Sequence, residues 1–133
     1  MKLDVEAHDQ RQSVGLYGCV CISVRRAFLV ESDVAVYRRT FDKLSQRCPG
    51  NMAFLQVNRF TPKPDDRVGL DAPAQAAMYD MIRTYGSALR IVAIAMPADP
   101  FLVSAMRSTF SRMLLTARHR VDVRILDSVT HAV

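Results

Sequence analysis

Across these 133 residues the hydrophobic period changes back and forth between that of a strand and that of a helix, and no other feature constrains the fold as much. The clearest stretch is a stripe. Val30, Val34, Tyr37, Phe41, Leu44 and Cys48 recur at steps of four, three, four, three and four, which draws one apolar line down a helix. Ser32 or Asp33 can cap its start, and "CPG" stops it. Before it, "GLYGCVCISV" (residues 15–24) is rich in β-branched and small apolar residues and reads as a strand, with a second short extended piece over residues 27–30.

After it, "NMAFLQVNRF" reads as a strand and "TPKPDDRVGLDAP" as a loop set by its prolines, aspartates and glycine. The segment "DAPAQAAMYDMIRTYG" predicts a second helix capped by Asp71 and ended by Gly86. Its stripe is Ala74, Ala77, Met78, Met81, Ile82 and Tyr85. "RIVAIAMP" is almost unbroken in its apolar character, as expected of a strand with helices on both faces. Asp99 and Pro100 open a third helix, whose apolar side includes Leu102, Met106, Phe110 and Met113. "VDVRIL" reads as the final strand, and Asp127 caps a short terminal turn.

Strands alternating with helices define the α/β class. They predict right-handed crossovers and a four- or five-stranded sheet, mainly parallel or mixed. No repeat or linker divides the chain, so residues 1–133 read as one domain, with 1–13 a flexible or peripheral segment. The three cysteines are too few for a disulfide framework and read as free thiols, Cys19 and Cys21 as small core hydrophobes on one side of a strand. Free thiols, a polar N-terminus without a signal-like apolar run, and no apolar run of about 18 residues predict a cytoplasmic protein without membrane insertion.

The net charge of +5 invites a search for an anion-binding surface. Arg107, Arg112 and Arg118 fall largely opposite the apolar side of the third helix, and Arg120 follows at its exit beyond His119. No aromatic side chain is interleaved among them for base stacking, and nothing resembles a recognition helix, so nucleic acid is not an expected partner. Together with Asp65, Asp66 and Arg67 of the long loop, these arginines form the candidate interaction surface. The chain lacks G-x-S-x-G, the phosphate-binding G-x-x-x-x-G-K-[ST] loop, G-x-G-x-x-G and paired C-x-x-C. No catalytic, metal-binding or cofactor-binding residue is therefore assigned. In a parallel sheet, ligands and partners meet the C-terminal ends of the strands, which singles out the loop over residues 61–70 and the starts of the second and third helices.

"PFLVSAMRSTFSRMLLTARHRVDVRILDSVTHAV" resembles the C-terminal half of small bacterial STAS-like proteins, the group related to the sporulation anti-sigma-factor antagonist. "PGNMAFLQVNRF" and "MYDMIRTYGSALRIVAIAMP" are similar to the central strand–helix–strand of that family. The resemblance covers roughly residues 15–133. It implies a mixed sheet with helices on one or both faces, used for protein–protein regulation and sometimes for binding small molecules or lipids. Where the family's antagonists carry a phosphorylatable serine or threonine, "TPKPDDRVGLDAPAQ" holds Thr61 but no serine, so that role is not carried over. The expectation is a non-enzymatic regulatory domain that binds an unidentified protein partner or pairs with itself, through a sheet edge at residues 15–24 or through a helix face. The alternative is a small-molecule or lipid carrier with a pocket lined by Met and Phe.

Overall fold

The computed structural model describes residues 2–59, 72–95 and 122–126, the last without the side chains at 123, 125 and 126. Its elements are β1 (Asp4–His8), β2 (Gln12–Tyr17), β3 (Val20–Arg25), α1 (Glu31–Arg47), β4 (Met52–Asn58), α2 (Ala72–Tyr85), β5 (Leu89–Ala95) and β6 (Asp122–Leu126). The six strands lie side by side in chain order. β1, β2 and β3 are antiparallel neighbours, whereas β3 to β6 run parallel. The chain is thus an α/β protein with a mixed sheet, two strands longer than the shorter of the two expected sheets.

The extra strands come from the N-terminal third. Residues 15–24 are not one strand but the two arms of a hairpin, turned at Gly18 and Cys19 between the paired Tyr17 and Val20. A two-residue hairpin loop needs left-handed backbone at its first position, and Gly18 supplies it at φ 59°. The hairpin is interior, flanked by β1 and β4, so residues 15–24 are not a sheet edge. The edge on that side is β1, drawn from the segment read as flexible or peripheral, and β6 ends the described sheet on the other. Residues 27–30 form no strand and instead lead into α1.

Helix α1 buries Val34, Tyr37, Phe41 and Leu44, the stripe that its spacing predicts. Its N-cap is Val30 rather than Ser32 or Asp33. Asp33 acts from the first turn, where its carboxylate accepts the Val30 N–H. Helix α2 buries Ala74, Met78, Met81, Ile82 and Tyr85, again as predicted, with Ala77 half-buried. The crossovers β3–α1–β4 and β4–α2–β5 step in the same direction across the sheet, so a common hand puts both helices on one face. There Phe41 packs edge-on against Phe54 and Tyr85, and Tyr37 against Phe54. Each large side chain buried in this way contributes roughly 1.5–3 kcal/mol.

One sequence reading is overturned outright. Cys19 and Cys21 are not a pair of core thiols: Cys19 lies in the hairpin turn and is bonded to Cys48 at the end of α1, and only Cys21 is free and buried. The turn puts Cys19 outside the strand, so the side-alternation that joined it to Cys21 does not operate. With it goes the free-thiol argument for a reducing compartment. No helix among the described residues is long and apolar enough to cross a membrane.

Candidate functional site

At the C-terminal end of β3 the helix-covered face becomes polar. Strand alternation sends Cys21, Ser23 and Arg25 to the same side as Gln12 of β2 and Gln56 and Asn58 of β4. Arg25 is only 1% exposed. Its Nη1 donates to Gln12 Oε1 (2.6 Å) and to the Tyr37 hydroxyl (3.0 Å). Its Nε and Nη2 donate to the Ala27 carbonyl, and Nη2 also reaches the Phe28 carbonyl (3.1 Å) and Asp33 Oδ2 (2.8 Å). The guanidinium therefore holds the loop between β3 and α1 against the first turn of the helix. Arg11 reaches the same carboxylate at 3.2 Å from a more exposed position.

The Asp33 carboxyl is subject to opposing influences. Burial acts to raise it, but hydrogen bonds from Arg11, Arg25 and the Val30 N–H, with the Arg25 charge, hold it below the ordinary carboxylate value. Burial pushes the Tyr37 phenol up, so it stays neutral. The Tyr37 hydroxyl accepts from Arg25 and shares a hydrogen bond with Ser23 Oγ, 2.7 Å away, in which either oxygen can donate. Gln56 Nε2 donates to Asn58 Oδ1 at 3.0 Å. No buried side-chain nitrogen or oxygen among the described residues lacks a partner. A guanidinium so fully engaged has no fork left for an anion; the network is a brace.

The other chemistry-bearing groups are equally committed. Burial, followed by the Glu6 charge, pushes the Cys21 thiol up to about 12, far from a reactive thiolate. Tyr85, raised to about 12 by burial and then by Asp42, donates its hydroxyl to that carboxylate. His8 meets Ser13 Oγ at 2.6 Å on the exposed margin of the sheet. Among the described residues no group of His, Cys, Asp and Glu could hold a metal ion.

A groove of about 540 Å³ lies between the N-terminal halves of α1 and α2. Its lining is Glu31, Val34, Ala35 and Arg38 from α1, with Pro73, Ala76, Ala77 and Asp80 from α2. Arg38 and Asp80 approach across it at 3.5 Å, both well exposed. Small side chains make the floor, and charges of both signs make the rim. It sits at the edge that the parallel-sheet rule singles out and includes the start of the second helix, although none of its residues was named for the interaction surface. Arg107, Arg112, Arg118, Arg120, Asp65, Asp66 and Arg67, with the loop over residues 61–70 and the third helix, lie outside the described residues.

The opposite face of the sheet is mainly apolar from β2 to β5, with Ser13 and His8 at one margin and Asp122 and Arg124 at the other, and bears no helix among the described residues. A second hollow, about 350 Å³, lies there between Leu3 and Val5 on one side and Ile22 and Val24 on the other, with Gly15 in its floor. A Cβ on Gly15 would come within 3.1 Å of Leu3 Cδ1 and the Asp4 carbonyl. Neither hollow is lined by Met or Phe, because Met52, Met78, Met81, Phe41 and Phe54 are packed in the core.

Fold and site together define the class, an α/β domain with a mixed sheet, a braced first crossover and an open interhelical groove. Compared with family models, with curated proteins and with solved structures, the chain matches none.

Proposed function

We propose that the chain is a non-enzymatic regulatory interaction domain of STAS-like type and that a protein partner meets it along the α1–α2 groove. The observation that carries this reading is the contrast between the groove and the buried polar network at the end of β3. The groove is open, small-floored and rimmed with Glu31, Arg38 and Asp80, whereas the network's groups are spent on one another. Such a surface gives a partner's side chains room and charge pairing and offers substrate no nucleophile.

Ala76 is exposed, so Ala76→Arg fills the groove while changing stability by no more than about 0.5 kcal/mol. A protein captured by the wild type, then titrated in purified form, is expected to bind the variant at least about tenfold more weakly. A partner that binds both equally defeats the assignment to this groove. The carrier reading makes a different demand: native mass spectrometry of protein purified without detergent must then show a retained ligand mass.

A further inference from the structure

The sheet face opposite the helices is complementary to itself on four of its strands, β2, β4, β5 and β6. The register places Leu16, Cys21, Phe54, Val92 and Val123 in one row across β2 to β6. On three strands of the open face, the residues just before and just after this row differ in size in a matched way. Gly15 and Tyr17 flank it on β2, Ala53 and Leu55 on β4, and Ile91 and Ala93 on β5, whereas on β3 Val20 and Ile22 are large on both sides. On β6 the flanking residues are Asp122 and Arg124, opposite charges that are both exposed.

We infer that this face pairs with the same face of a second copy, about a two-fold axis running along that row. Such an axis exchanges the residue before the row with the residue after it. Tyr17, a large side chain left 44% exposed, then sits over the partner's hollow at Gly15. Leucine meets alanine on β4, isoleucine meets alanine on β5, and Asp122 meets Arg124 on β6. Two sheets stacking face to face at about 10 Å need this interdigitation of large with small. Self-pairing also suits the charge. A chain of net +5 repels its own copy over most orientations, but across β2 to β5 this face presents apolar side chains apart from Ser13, and its one charged pair on β6 is self-compensating. Six strands of about five residues give each copy a face of roughly 500 Å² in projection. Two of them reach the roughly 1,000 Å² that a specific interface requires. The pairing is independent of the groove between α1 and α2, which lies on the other face.

Sedimentation velocity over a concentration series tests it. The wild type is expected to dimerise, and Tyr17→Asp to raise the dissociation constant by about thirtyfold while Tyr17→Phe leaves it unchanged. Asp122→Arg, at an exposed edge where the fold is not at stake, weakens the dimer several-fold, and adding Arg124→Asp restores it. A wild type that stays monomeric throughout overturns the inference, as does a dimer indifferent to Tyr17→Asp. So does a double charge exchange that fails to rescue, or a monomer that carries a ligand mass instead of a second copy. Binding of a groove partner is read separately with Ala76→Arg, so either proposal can fail alone.

Discussion

At the scale of single residues, the decisive side chain is Arg25. Alternation puts Arg25 on the same side as Cys21 and Ser23, but nothing in the sequence marks an arginine at a strand end as buried. What alternation does not reveal is its partner: Asp33, eight residues on, reads equally well as a helix cap. Asp33→Asn leaves the Arg25 charge buried without its counter-ion and should lower stability by about 3 kcal/mol, measured by urea unfolding at neutral pH. The acid side follows from the sign of the shift. The folded Asp33 carboxyl lies below its unfolded value of about 3.9, so its contribution is complete above that pH and disappears as pH falls through the folded pKa. The Asn variant should therefore lose less stability than the wild type as pH falls below about 3.9. An equal acid loss in both proteins would show that Asp33 is not an acid-sensitive brace.

At the scale of elements, the helices were legible and the hairpin was not. A helix stripe of six positions over-determines its period, and α1 and α2 bury what their spacing predicts. The run "GLYGCVCISV" carries no polar break, and the left-handed requirement at Gly18 belongs to the turn rather than to composition, so two strands look like one. The turn in turn decides the cysteine chemistry, because it carries Cys19 to the C-terminal end of α1, where Cys48 waits. This bond closes a loop spanning 29 positions and fastens the hairpin to the helix that covers it. Cys19→Ser with Cys48→Ser should lower stability by about 2–4 kcal/mol in thermal or denaturant unfolding. An undiminished midpoint would mean that packing of α1 against β2 and β3 alone fixes the hairpin.

At the scale of the whole molecule, order in the sheet sets order in stability. β3 and β4 are paired on both sides and covered by α1, whereas β1 is paired on one side and bulged between Val5 and Ala7. The bulge and the charges of Asp4 and Glu6, the latter tied to Lys43 on α1 at 2.7 Å, blunt β1 as an edge for strand addition. Amide hydrogen exchange should be slowest over Phe54–Val57 and fastest over Asp4–His8. Comparable protection in β1 would point to a partner strand on that edge, which the proposed face-to-face pairing does not supply.

The sequence by itself determined the class of fold and the faces of two helices, because hydrophobic period is a local property that each segment carries alone. Pro49, Gly50 and Gly86 mark breaks, and the stripes they bound have no other use. Three outcomes were left to the tertiary structure: the Arg25–Asp33 brace, the Cys19–Cys48 bond and the matched rows of the open face. Each joins residues whose separation along the chain is closed only when strands take their register. Pairing of strands is set by the whole sheet at once, so no window of sequence contains it.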